Sequence, residues 1–210
     1  MIPGAHVGIV PDLVLALARR IQGLLPDGLV VMGSAKGVIT NKVIRLTTRP
    51  VLAVSATQSN IDEVGLHKLT KILVATDFSK HSKRVVEYAF DLKRIFGATL
   101  YMLYVIETGH AIDWAIRQGH FTHAIDKMRV WAGHQLVNLM PDEFMNDPTV
   151  IRLVEPGTPG DTIADVACDV GADLTILGTH EYGTVHQHLI GTTTDKLLAR
   201  TSTPILTVKL

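Results

Sequence analysis

Cysteine is almost missing: Cys168 stands alone among 210 residues, so no intrachain disulfide can form, as in a protein of a reducing compartment. With no Cys-His arrangement nearby, that thiol reads as incidental rather than nucleophilic. Net charge is missing too. Lysine plus arginine and aspartate plus glutamate each number 20, which removes any general attraction to nucleic acid or to an anionic membrane. No apolar run reaches the roughly 18 residues of a membrane span. The first residues carry neither the charged region nor the cleavage pattern of a signal peptide. The expectation is a cytoplasmic chain with no membrane and no nucleic-acid partner. Finally, the glycine-containing segment near the C-terminus holds no Walker lysine, which weakens any case for phosphoryl transfer.

What is present is an apolar content of 47%, enough for one α/β core plus a smaller unit. The run Leu174–Leu177 stops at Gly178, and a helical pattern begins after Gly191. A strand, a loop and a helix N-terminus follow from that order. Glycines there let backbone N–H groups approach an anion, and the following helix contributes unpaired N–H groups and a positive dipole end. The same spacing also makes an ordinary turn, with Thr192 and Thr193 as helix caps. Earlier, residues 71–79 read as a buried strand ending in Asp77. Val85, Tyr88, Ala89, Leu92 and Phe96 then recur at helical steps up to a cap at Gly97. In a doubly wound parallel sheet, ligands collect at the carboxyl ends of strands, where both Asp77 and Gly178 fall.

The stretch KILVATDFSKHSKRVVEYAFDLKRIFGATL, residues 71–100, resembles the first strand and helix of the universal stress protein family, and the likeness runs to the C-terminus. The resemblance implies an α/β fold with a five-stranded parallel doubly wound sheet and, in nucleotide-binding members, the pattern G-x-x-G, nine residues, then G and Ser or Thr. Gly178 and Gly191-Thr192 keep the total spacing, but Glu181 occupies the place of the second glycine. Carried over by residue, the resemblance implies adenine nucleotide contacts from Ala75, Thr76 and Asp77 at the nucleoside end and Val105 at the base. Leu177, Gly178, Gly191, Thr192 and Thr193 follow at the phosphate end. The implied ligand is ATP or AMP, with Mg as a possible companion, and the family's habit of dimerising through its last strand implies a homodimer.

Glu181 would repel a triphosphate, turn outward, or help hold a bridging cation. His180, His186 and His188 lie in the same loop; they could ligate zinc or contact an anion when protonated, and solvated histidines are the simpler reading. No metal is assigned.

The chain also resembles itself. Gly8–Ala18 aligns without gaps to Gly157–Ala167, Leu29–Gly33 to Leu174–Gly178, and Pro50–Val54 to Pro204–Val208, with Asn41-Lys42 opposite Asp195-Lys196. This reads as a tandem chain whose first copy has lost its front half. Residues 1–54 form the truncated copy, 55–70 a polar linker and 71–210 the complete domain. Four steps separate Gly33 from Gly37 where thirteen separate Gly178 from Gly191, so the first copy lacks a phosphate loop and one site per chain is expected. Its unpaired apolar strands should seek a neighbour, in a second copy or in the complete domain of the same chain.

Residues 107–145 suggest one or two helices carrying both tryptophans, Trp114 and Trp131, which buried packing would explain most simply. Three functional classes remain: a non-enzymatic nucleotide-binding module of stress response or signalling, a slow ATPase, and a nucleotide-free dimeric scaffold. Asp77, Gly178 and Gly191-Thr192 favour the first, and Glu181 favours the last.

Overall fold

The computed structural model describes residues 28–34, 46–55, 69–80, 82–109, 122–179 and 192–209, together with positions 18, 21, 23, 40, 43 and 44. Short, mostly apolar segments build its strands: β1 (Val30–Ser34), β2 (Val51–Ser55), β3 (Lys71–Ala75), β4 (Thr99–Glu107), β5 (Val150–Gly157), β6 (Leu174–Thr179) and β7 (Ile205–Lys209). Among the described residues, the helices with full bounds are α1 (Ser82–Phe96), α2 (Thr122–Asn138), α3 (Pro159–Val170) and α4 (Thr192–Arg200). The strands form a single seven-stranded sheet in the order β1-β2-β7-β6-β3-β4-β5. Sequence reading led us to expect a five-stranded sheet preceded by a separate half unit. Instead β2 hydrogen-bonds to the β7 edge, so the early strands extend the same sheet. Of the two expected destinations for those strands, the structure has the one within the chain.

Every neighbouring pair is parallel except β2 with β7. Along β3, Ile72 and Val74 enter one apolar layer with α1 and α2, whereas Leu73 enters the other with α3 and α4. A strand buried on both faces shows this period-two division between layers. Val85, Val86, Ala89 and Phe90 of α1 are fully buried on the first side. Ile163, Ala164 and Ala167 of α3, with Leu197 of α4, close the second. Gly97 caps α1 in the left-handed region at φ 63°, its N–H donating to the Lys93 carbonyl at 2.8 Å.

Two pairs of strands share one register. Val30, Val31, Met32 and Gly33 of β1 face Val51, Leu52, Ala53 and Val54 of β2. Thr175, Ile176, Leu177 and Gly178 of β6 face Ile205, Leu206, Thr207 and Val208 of β7. Both pairs are preceded by the same bond, Val30 N–H to the Pro50 carbonyl and Thr175 N–H to the Pro204 carbonyl, each 2.9 Å. The antiparallel junction is centred on Leu52 opposite Leu206. The likeness stops before β1: Ala18 packs, with Ile21, in the layer of Leu52 and Leu206, whereas its aligned counterpart Ala167 packs in the opposite layer.

Leu69 is buried, and the Asp173 carboxylate accepts the N–H groups of Thr70 and Lys71 at 2.8 and 2.9 Å, so the polar segment meets the fold at its end. Strand β4 carries Val105 and continues to Glu107. One expectation needs adjustment. Trp131 is 46% exposed rather than buried, since α2 covers the sheet through Ala132 and Leu136 and turns Met128, Val130 and Trp131 outward. Trp114 lies outside the described residues. Among the described residues, no helix is long and apolar enough to cross a membrane.

Candidate functional site

At the carboxyl end of β3 the backbone leaves the sheet through a knot of hydroxyl groups. Thr76, buried, donates its hydroxyl to Ser82 Oγ at 3.0 Å and accepts the Phe78 N–H at 3.2 Å. Ser82 Oγ donates to the Ser79 carbonyl at 2.8 Å, and the Ser82 N–H reaches Ser79 Oγ at 3.1 Å, which secures the start of α1. The Asp77 carboxylate accepts the Ser79 N–H at 2.9 Å. Short polar side chains that bond the backbone two or three residues on are the usual means of fixing such a turn.

Phe78 sits in the middle of that turn with φ 60°. A bulky residue in the left-handed region costs of order 1–3 kcal/mol and persists only where surrounding contacts over-determine it. The contacts are aromatic: the Phe78 ring stacks on Tyr104 at 4.4 Å and meets Trp131 edge-on at 5.5 Å. Offset and edge-to-face pairs of this kind each contribute about 0.5–1.5 kcal/mol, enough to offset the strain. Burial pushes the Tyr104 hydroxyl up from its ordinary pKa, and the nearby charges of Asp77 and Glu107 push it in the same direction. Tyr104 therefore remains a neutral donor across the physiological range.

Opposite, β6 ends at Leu177, Gly178 and Thr179, and α3 and α4 present their N-termini. Gly160 lets the two helices approach: a Cβ there would stand 2.9 Å from the Thr193 carbonyl and 2.8 Å from Lys196 Cβ. Asp161 ties α3 to α4 through Arg200 at 2.8 Å and Lys196 at 3.3 Å. The hydrogen bond from Arg200, followed by Lys196, holds the Asp161 carboxyl below its usual range. This packing places the first turn of α4 beside the tip of β6.

Between the two tips lies a cavity of about 330 Å³. Of the residues implied by the sequence, Ala75, Thr76, Asp77, Val105, Leu177, Gly178 and Thr193 all line it. Thr192 begins α4, and Gly191, Glu181 and the three loop histidines fall outside the described residues. Ser79, Ser82, Tyr104, Glu107, Pro159, Ile163, Thr179 and Thr194 also line the cavity and were not anticipated. Tyr104 and Glu107 flank Val105 on the same strand end, so the strand's extension was the missing signal; Pro159 and Ile163 come from a helix no local motif connects to the site. Thr179 is only 6% exposed, and its hydroxyl oxygen makes no hydrogen bond. Leaving such a group unsatisfied costs about 1–3 kcal/mol. Among the described residues, no cluster of histidine, cysteine or carboxylate groups is arranged to hold a metal.

Comparison with known proteins gives this geometry a family. A universal stress protein MJ0577 from Methanocaldococcus jannaschii is 21% identical over 156 residues, covering 66% of this chain and 94% of its own. Its solved structure superposes with a TM-score of 0.54 at 23% identity, covering 68% of this chain and 96% of that one. The structure of a universal stress protein from Archaeoglobus fulgidus DSM 4304 superposes with a TM-score of 0.56 at 22% identity and covers 86% of this chain, which spans 60% of the archaeal one. At these identities the superpositions speak for the fold alone. The model of the Universal stress protein family matches residues 68–209, from the end of the polar segment to the last strand, and the chain belongs to that family.

Proposed function

We propose that the cavity binds one adenine nucleotide, ATP or AMP, and that the chain acts as a nucleotide-responsive module of stress response or signalling in the cytoplasm rather than as an enzyme. The convergence of Asp77 and the first turns of α3 and α4 on one cavity carries this reading, because ligands collect where strand ends and helix N-termini meet. Asp77 at one tip suits the hydroxyls of a ribose. The first turn of α4 at the other suits a phosphate. The apolar stretch of Ala75, Val105, Ile163 and Leu177 between them suits a flat base.

Calorimetric titration of AMP and ATP, with and without magnesium, tests the reading; no heat at high micromolar protein, with no nucleotide retained through purification, rejects it. Asp77→Ala should weaken binding about three- to tenfold, one hydrogen bond's worth. Thr175, whose buried hydroxyl lies outside the cavity, supplies the control: Thr175→Val should leave affinity alone. A slow ATPase would show steady phosphate release abolished by Asp77→Ala.

We also propose that residues 29–54 are the remnant of a second copy of the strand β6 to β7 unit. The common register of the two strand pairs and their matching proline-carbonyl bonds support this. The opposite placement of Ala18 limits it to the strands. Among the described residues the remnant has no counterparts of β3 and β4, the strands whose ends frame the cavity, so we expect one site per chain. A homodimer would have to use a surface other than the β7 edge.

A further inference from the structure

We propose that Trp131, on the outer face of α2, is a positioning residue for the cavity, holding the Asp77 turn through the ring of Phe78. This rests on the nucleotide reading above and adds to it a surface position whose side chain tunes the affinity.

Phe78 is the starting observation. Among the described residues the other positions with positive φ, Gly28, Gly97, Gly157 and Gly171, are all glycine, which enters that region without steric cost. At 78 the chain keeps a phenylalanine at φ 60°, although a glycine would make the same turn unstrained. A strained conformation of this kind persists where the surrounding structure over-determines it, and such residues cluster at ligand sites. The ring accounts for the choice, because its contacts lead in two directions. Tyr104, stacked on it at 4.4 Å and 22°, lines the cavity; Trp131, edge-on at 5.5 Å and 90°, is 46% exposed and does not line it. Tyr104 and Trp131 also meet, at 6.1 Å and 74°, so each ring touches the other two. The turn after β3, the end of β4 and the middle of α2 are thereby fixed to one another.

The clamp acts on the site through the backbone of Phe78. The Asp77 carboxylate reaches across that residue to accept the Ser79 N–H at 2.9 Å, and the Phe78 N–H donates to Thr76 Oγ1 at 3.2 Å. The φ and ψ of Phe78 therefore set how the two arms of the turn face the cavity, and Thr76, Asp77, Ser79 and Ser82 all line it. Groups that bind a ligand are held in place by neighbours whose own rotamers are locked by packing. Removing one ring from the cluster unlocks Phe78, and the polar groups of the turn move with it. Coupling of this kind is reciprocal, so a bound nucleotide also changes the surroundings of Trp131.

The test is calorimetric titration of AMP into the full chain and its variants, with circular dichroism to confirm folding. Trp131→Ala should weaken binding about three- to tenfold, the size of one such ring contact, and Trp131→Phe, which keeps a ring, should restore it to within about twofold. Val130→Ala, at a 63% exposed position beside it, should leave affinity alone. Phe78→Gly keeps the left-handed turn without the ring; affinity should fall at least as far as in Trp131→Ala, and adding Trp131→Ala to it should change nothing further. AMP should also shift the tryptophan emission of the unaltered protein, and the shift should be absent from Trp131→Phe. Trp131→Ala binding as tightly as the unaltered chain, a further loss in the double variant, or an emission shift that is missing or survives Trp131→Phe overturns this proposal while leaving nucleotide binding intact. Failure of AMP to bind the unaltered chain overturns the nucleotide reading and this proposal with it.

Discussion

The β1–β2 and β6–β7 strand pairs are built alike and do different work. Each joins two parallel strands in the same register, starting from a bond to the carbonyl of a proline, and each contributes a leucine, Leu52 or Leu206, to the centre of the junction between them. Yet only β6 borders the cavity. Its tip meets Asp77 at the end of the adjacent β3, Val105 and Glu107 at the end of β4, and the first turns of α3 and α4. Strand β1 has β2 on one side, and no described strand pairs with its other edge. A parallel strand pair is therefore a frame; a ligand site needs a third strand end and a helix N-terminus converging on it. What the early pair does instead is cover the β7 edge, which would otherwise present unpaired N–H and carbonyl groups.

The sharpest way to break the comparison is to truncate its two central leucines. Leu52 and Leu206 are both fully buried, so Leu52→Ala and Leu206→Ala should each cost about 2–5 kcal/mol in urea denaturation, with one cooperative transition in both. A separate early transition in Leu52→Ala alone would show that β1 and β2 unfold as an appendage. Gly160→Ala comes next, since its methyl would collide with the Thr193 carbonyl; a loss of about 1–3 kcal/mol is expected from overpacking. Because that collision moves α4, nucleotide affinity should fall as well, a loss that no substitution in β1 or β2 should reproduce. Thr179→Val sharpens the contrast further. Removing an unsatisfied buried hydroxyl should leave the protein as stable or up to about 1 kcal/mol more stable in thermal denaturation.

The smallest effect lies at the start of β5, away from the cavity. Hydrogen bonds from the Thr149 hydroxyl and N–H, followed by Lys93, hold Asp147 down at about 2. A depressed carboxylate contributes stability that is fully present above its unfolded pKa of about 3.9 and lost as pH falls through the folded value. Asp147→Asn should accordingly flatten the fall in urea stability between pH 4 and pH 2. An unchanged acid profile would mean that the bond is also present in the unfolded chain.

Much of this molecule is legible locally. The apolar run of residues 72–75, the helical steps from Val85 to Phe96, and the glycine at 97 fix strand, helix and helix cap through backbone geometry and residue identity, which are short-range properties. Asp77 and Gly178 are readable as site residues because strand ends in a parallel sheet gather on one side. Ile163, Pro159 and Thr179 were not, since nothing in their own neighbourhood says which strand ends they face. The outward turn of Trp131 was equally hidden, because α2 carries apolar residues on more faces than the sheet can cover.

By itself, then, the sequence determined the element types, the α/β class and the absence of a Walker lysine, all consequences of local periodicity and residue identity. Only the tertiary structure decided that β2 joins β7 within the chain, that Ala18 packs across the sheet from Ala167, and that Glu107 and Thr179 share a cavity with Asp77. Those are pairings over long sequence separations. They are set by which apolar faces and unpaired edges are left to bury once the local elements have formed.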